Sequence, residues 1–166
     1  VITQNITIQL DATGNTSIVA ADVNNGSSDN CSITQDNLVV SSFTCADVGA
    51  NTVTLTAIDQ SGNSASATAT VTVQDNIAPT VLTQDITVNL DSMGMASITP
   101  ADTDNASSDN CGIDTYSLNL DSFDCADVGP NTVTLTVVDV NGNSAQATAV
   151  VTVVDVTPPV MVCAPD

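Results

Sequence analysis

The 166-residue chain has no lysine, arginine, histidine, tryptophan or glutamate. Without a basic side chain it cannot neutralise phosphate, which excludes charge-driven nucleic-acid binding, and an anionic membrane surface would repel it. General acid–base chemistry would fall to aspartates alone. No Asp-Thr-Gly or Asp-Ser-Gly element marks an aspartic dyad and no glycine-rich phosphate loop is present, so the chain reads as a non-enzyme. No apolar run reaches membrane-spanning length, so direct membrane insertion is not expected, while the lack of a signal-peptide pattern in what reads as an excerpt carries no information. The absence of lysine also removes Lys–Asn isopeptide cross-links as a means of stiffening. Aromatics are few, two Phe and one Tyr, so any core is built from small residues and is thin.

What the chain does contain is aspartate. All 19 acidic residues are Asp, giving a net charge of −19 and a pI near 4.1. With 42% apolar residues in a period-2 pattern, the chain is expected to fold, and to need something that offsets its own repulsion. Divalent cations are the obvious candidates.

The sequence repeats with a period of 80 residues. Asp11 maps to Asp91, Asp22 to Asp102, Asp29-Asn30-Cys31 to Asp109-Asn110-Cys111, Cys45 to Cys125, and Asp59 with Asn63 to Asp139 with Asn143. The seam Val71-Thr72-Val73-Gln74-Asp75-Asn76-Ile77-Ala78-Pro79 returns as Val151 to Pro159, and its proline cannot continue a sheet ladder. The expected organisation is a first repeat over 1–75, a second over 76–155 and the start of a third over 156–166. The chain thus reads as an excerpt of a longer tandem array.

Within a repeat the periodicity is that of strands. Ile6, Ile8 and Leu10 alternate with polar residues, and a turn leads to Ser17-Ile18-Val19-Ala20. Ile33, Leu38-Val39-Val40 and Phe43 follow a polar loop over 22–30. The clearest alternations are Val53, Leu55, Ala57 and Ala65, Ala67, Ala69, Val71, Val73, on either side of the turn Asp59-Gln60-Ser61-Gly62-Asn63. No segment has a convincing helical period. The predicted fold is all-β: two tandem immunoglobulin-like antiparallel β-sandwiches joined by a short Asp/Pro linker.

Cys31 and Cys45 recur as Cys111 and Cys125. A disulfide within each repeat is the natural reading, contributing roughly 3 kcal/mol in the chain-entropy model and placing the protein outside the reducing cytosol. Free buried thiols and a zinc site are the rivals, the latter weakened by the absence of histidine. Cys163 is unpaired on this scheme and would find its partner beyond Asp166.

In a seven-stranded sandwich the loop after the second strand, the turn between the last two strands and the incoming linker share one end. For the second repeat this gathers Asp75 and Asn76 from the seam, Asp102, Asp104 and Asp109 from the loop, and Asp139 and Asn143 from the turn. Oxygen donors without a basic partner suit calcium, which takes six to eight oxygens in a flexible shell; magnesium is second choice. The first repeat carries the equivalents Asp22, Asp29, Asp59 and Asn63, while Asp11 and Asp47 would lie at the opposite end. The plain rival is that these aspartates cap turns and solvate loops. Asp102-Thr103-Asp104 is not an EF-hand, since the loop glycine and closing glutamate are missing.

The string Phe43-x-Cys45-x-x-Val48-Gly49-x-Asn51-Thr52-Val53-Thr54-Leu55-Thr56-Ala57-x-Asp59-x-x-Gly62-Asn63, recurring from Phe123 to Asn143, resembles the hyalin (HYR) repeat, an immunoglobulin-like module. Asp155-x-Thr157-Pro158-Pro159-Val160-x-x-Cys163 is similar to that family's opening, although both full repeats lack the early cysteine. The version with Asp-Asn-Cys is similar to repeats of very large Bacteroidota surface proteins, gliding adhesins among them. The resemblance implies an extracellular, adhesion-associated array. The leading expectation is a structural stalk or filament segment, rigidified by calcium at the junctions and by disulfides, with neighbouring repeats and other copies in a fibre as partners. The alternative is a carbohydrate- or surface-binding module acting through the threonine ladders Thr52/Thr54/Thr56, Thr68/Thr70/Thr72 and Thr132/Thr134/Thr136, although threonine is also a good exposed strand residue. Asn5, Asn25 and Asn105 stand in glycosylation sequons.

Overall fold

A computed structural model describes residues 1–159; Cys163 and the remainder of the expected third repeat lie outside the described residues. The chain divides into two compact units, Val1–Ile77 and Ala78–Asp166.

Each unit is an immunoglobulin-like β-sandwich, and the two have the same element order. In the first, β1 (Ile6–Gln9), β2 (Asn15–Ser17), a single helical turn α1 (Ala20–Val23), β3 (Ile33–Val39), β4 (Ser42–Thr44), β5 (Gly49–Asp59) and β6 (Ser64–Gln74) follow in sequence. A four-stranded sheet in the order β1-β6-β5-β3 faces a two-stranded sheet β2-β4. The second unit repeats this with β7 (Ile86–Asn89), β8 (Ala96–Ser97), α2 (Pro100–Thr103), β9 (Ile113–Leu118), β10 (Ser122–Phe123), β11 (Gly129–Asp139) and β12 (Ser144–Val154).

The long hairpins β5–β6 and β11–β12 form where the alternation is strongest. Val53, Leu55 and Ala57 from β5 and Ala69, Val71 and Val73 from β6 are buried, while the threonines between them face outward. Phe43 from β4 and Phe123 from β10 plug the two cores. In the second unit Phe123 packs with Leu90, Ile98, Val133, Ala149, Val151 and Val153. The core is as small as the composition implies.

Two features depart from the sequence reading. The first and last strands of each unit pair in parallel, with Ile6 opposite Val71 and Ile86 opposite Val151. They can do so because they are not joined by a turn and both run toward the same end. Each unit also holds the short helix that periodicity did not disclose, since four residues complete barely one turn. Val23 closes α1 inside the first core; in the second unit Thr103 fills that position, also fully buried.

The ends of each unit differ. At the entry end of the second unit the chain runs beside the loop before Cys111, through the bridges Thr80–Ser108 and Thr83–Asp104. The turn after β11 is at that same end, where the Val140 N–H donates to the Gly112 carbonyl at 3.1 Å. The exit end of the first unit is where β5 begins: Gly49 pairs with Val73, and the Leu10 N–H donates to Gln74 O.

Candidate metal centre

The turn after β11 is built around one carboxylate. Asp139 Oδ1 accepts from the N–H groups of Asn141 and Asn143 at 2.9 and 2.8 Å, and Oδ2 accepts from Asn143 Nδ2 at 2.8 Å. Gly142 at φ 91° closes the turn, in a region that glycine enters without steric cost. Asp139 is only 2% exposed.

Beside it lies Asp109. Its Oδ2 accepts from the N–H groups of Cys111 and Gly112 at 2.8 and 3.1 Å. Its Oδ1 is buried with no hydrogen-bond partner. The pairing of Ile113 with Asp139 brings loop and turn together, and carboxylate oxygens of Asp109 and Asp139 come within 4.8 Å. Two carboxylates so close repel each other, and a bound cation would offset that repulsion. No side chain of this protein can supply the positive charge. Hard oxygen donors, one of them desolvated and unsatisfied, fit a calcium ion better than any softer metal.

The first unit has the same framework. Asp59 accepts from the N–H groups of Ser61 and Asn63, both at 2.8 Å, and from Asn63 Nδ2 at 2.7 Å, while Asp29 Oδ2 accepts from the Cys31 N–H at 2.7 Å. Asp29, Asp59 and Asn63 line one cavity of about 130 Å³. The Asn63 amide, ahead of the backbone N–H donors, holds the Asp59 carboxyl below the usual range.

Other expected donors are engaged elsewhere within their own units. Asp102 caps α2: its Oδ2 accepts from the Thr99 N–H at 2.7 Å and the Thr99 hydroxyl at 2.8 Å, and these bonds lower its pKa. Asp22 accepts from the Val19 N–H at 2.7 Å in the same manner. The signal was present in Thr99-Pro100-Ala101-Asp102, a hydroxyl residue three before an acid with proline at the first helical position. Asp104 Oδ1 accepts from the Ser107 N–H at 3.2 Å. In the seam, Asp75 is buried and accepts from the Ile77 N–H at 3.2 Å, and Asn76 Nδ2 donates to Gln9 Oε1 at 2.8 Å.

The cysteines overturn an expectation. Cys31 and Cys125 are free thiols, whereas Cys45 and Cys111 are each disulfide-bonded, so neither Cys31–Cys45 nor Cys111–Cys125 is formed. The reason is geometric. Cys31 precedes β3 beside the Asp59 end of β5, and Cys45 precedes the Gly49 end. The eleven residues of β5 put those ends about 33 Å apart at the rise of a strand, whereas a disulfide needs Cα atoms within about 7 Å.

The threonine ladders are uneven. Thr52 pairs with Thr70 and Thr54 with Thr68 in the first unit. In the second, Thr134 faces Thr148, but Thr132 faces Val150 and Thr136 faces Gln146. A continuous threonine face is therefore not a repeated feature. Among the described residues no helix is long and apolar enough to cross a membrane.

No family model matches the sequence, and no curated protein matches it. Among solved structures the chain is similar to protocadherin gamma B7 extracellular cadherin domains 1–4 (14% identity, TM-score 0.40), covering 92% of this chain and 49% of that one. It is also similar to human mucin-like protocadherin EC1-2 (16%, TM-score 0.40, 92% of this chain and 96% of that one). The fibronectin(III)-like modules of Clostridium thermocellum CbhA match at 11% and TM-score 0.34, over 92% of this chain and 91% of theirs. The chain spans about half the length of the protocadherin gamma B7 structure. Similarity at these identities and scores assigns neither family nor function.

Proposed function

We propose that this chain is a structural segment of a secreted, repetitive cell-surface adhesin of the hyalin-repeat type, in which calcium holds successive repeats in a fixed relation. The observation that carries the reading is the buried, unpartnered Asp109 Oδ1 within 4.8 Å of an Asp139 oxygen, in a protein with no cationic side chain. Asp109 and Asp139 are the core of the proposed site. Asp29 and Asp59, with Asn63, form the equivalent of the first repeat. Asp22 and Asp102 act as helix caps, and Asp104 as a turn cap, rather than as ligands. The likeness to Bacteroidota gliding adhesins belongs to this proposal and names no adhesion target.

The test is calorimetric titration of the chain with calcium and with magnesium, followed by thermal unfolding with calcium and with chelator. Asp109→Asn serves as the control, because its amide oxygen can keep the Cys111 and Gly112 bonds while the charge is lost. Calcium is expected to bind more tightly than magnesium and to raise Tm. Asp109→Asn should weaken calcium binding at least about tenfold, since a buried ligand charge is removed, while Tm in chelator should not fall, because the same change relieves the repulsion with Asp139. A wild-type chain that binds no calcium, or an Asp109→Asn chain that binds it equally well, sinks the proposal.

A further inference from the structure

The second unit carries a surface cavity whose lining includes neither Asp109 nor Asp139. It measures about 410 Å³ and is lined by Thr99, Pro100, Ala101, Asp104 and Tyr116, between α2 and β9. Ligand pockets occupy between about 300 and 1,000 Å³. Tyr116 is the one tyrosine of the chain and is 39% exposed. The first repeat has Val19, Ala20, Asn24 and Asp36 where the second has Thr99, Pro100, Asp104 and Tyr116; only Ala101 has an identical counterpart, in Ala21. In the first unit a hydrogen bond spans this place, from Asn24 Nδ2 to Asp36 Oδ2 at 2.7 Å. The second unit cannot repeat it, since a carboxylate at 104 does not donate and Tyr116 presents a ring in place of the acceptor.

We propose that this cavity takes the lysine side chain of a partner protein. Its walls are apolar along Pro100, Ala101 and the Tyr116 ring, and they carry one negative charge, that of Asp104. Lysine has the matching form: a four-carbon stem that packs on apolar surface, and an ammonium tip drawn to a carboxylate and an aromatic face. Asp104 Oδ1 already accepts from the Ser107 N–H at 3.2 Å, so the carboxylate does not offer two open oxygens to the fork of an arginine. A sugar would need several hydroxyl partners, and the Thr99 hydroxyl is already given to Asp102 Oδ2 at 2.8 Å. A calcium ion takes six to eight oxygens, more than this lining offers. The partner is not a second copy of the chain, which has no lysine, and the field of 19 aspartates draws basic surfaces toward it.

The ring signals of Tyr116 report on this cavity alone, because the chain has no other tyrosine. The experiment is an NMR titration with the peptide acetyl-Gly-Lys-Gly-amide at about 0.15 M salt, which screens long-range attraction. Saturable shifts of the Tyr116 ring and the Ala101 amide are expected, with the Ala21 amide of the first repeat unmoved. The same peptide with acetyllysine or arginine in place of lysine should bind severalfold more weakly. Asp104→Asn should weaken binding about tenfold or more, the worth of a charge-assisted hydrogen bond. The first repeat carries asparagine at this position, so the framework accepts it. Tyr116→Leu, read at the Ala101 amide, should also weaken binding, since apolar surface is kept and the ring is lost. Asp109→Asn should bind the peptide as the wild type does, which separates this cavity from the calcium site. Equal shifts at Ala21 and Ala101, or equal binding by Asp104→Asn, would reduce the effect to net charge and overturn the proposal. So would a Tyr116 ring that the lysine peptide leaves unmoved, or one that responds to methyl glucoside instead.

Discussion

Asn143 binds both oxygens of Asp139, its backbone N–H donating to Oδ1 and its side-chain amide to Oδ2, each at 2.8 Å. The carboxylate is thus the knot of the turn as well as a proposed ligand. Replacing it with alanine strands the N–H groups of Asn141 and Asn143 at a nearly inaccessible site, which costs about 3 kcal/mol for a buried, charged acceptor. Asp139→Asn should cost much less, since Asn143 can flip its amide to present oxygen. Urea unfolding of both variants in chelator checks this; equal midpoints would mean that the turn does not depend on the carboxylate.

The sequence discloses the parts of this fold whose causes are local. Alternation in Val53 to Ala57 and Ala69 to Val73 marks the hairpin because each residue's burial follows from its neighbours. Asp139 with Gly142 and Asn143 marks its turn for the same reason. The parallel pairing of Ile6 with Val71 depends on residues 65 apart and leaves no local trace. The cysteine pattern is misread for a related reason: Cys31 and Cys45 are near in sequence, but β5 puts them at opposite ends of the sandwich. Asp102 is half legible, since the four-residue motif that caps α2 is present while the helix is too short for a period.

The Asp102 carboxyl should titrate below its ordinary value of 3.8. A pKa lower in the folded than in the unfolded chain contributes stability above the unfolded value, and that contribution is lost as pH falls through the folded value. Protonation also relieves the repulsion among 19 aspartates, so a global melting curve mixes opposite signs. The carboxyl carbon shift of Asp102, followed by NMR, isolates the group. Thr99→Val, which removes the hydroxyl donor and keeps the N–H, should move the midpoint part of the way back up. A midpoint unchanged by that substitution would show that the hydroxyl does not hold the anion.

Val40 has φ 68°, a left-handed backbone that β-branched residues avoid, and its side chain is 50% exposed. Little packing is lost on replacement, while relief of the Cβ clash is worth about 1 kcal/mol. Val40→Asn should therefore stabilise the first unit, with a higher urea midpoint and an unchanged m-value. A lower midpoint would mean that Val40 contributes more by packing than its backbone costs.

Thr103 occupies in the second core the place that Val23 holds in the first, and both are 0% exposed. Its hydroxyl finds only the Pro100 carbonyl, at 3.2 Å, and that carbonyl already accepts from the Asp104 N–H at 2.9 Å. Replacing the hydroxyl by a methyl group leaves no acceptor stranded and removes a buried polar group that costs about 1 kcal/mol or more. Thr103→Val should thus raise the stability of the second unit by about 1 kcal/mol, and Val23→Thr should lower that of the first by a similar amount. Calorimetry reads both if the transitions of the two units are resolved by their opposite shifts. The informative failure is a destabilising Thr103→Val, which would make the Pro100 bond worth more than the methyl group, and α2 an element that needs a hydroxyl at its last position.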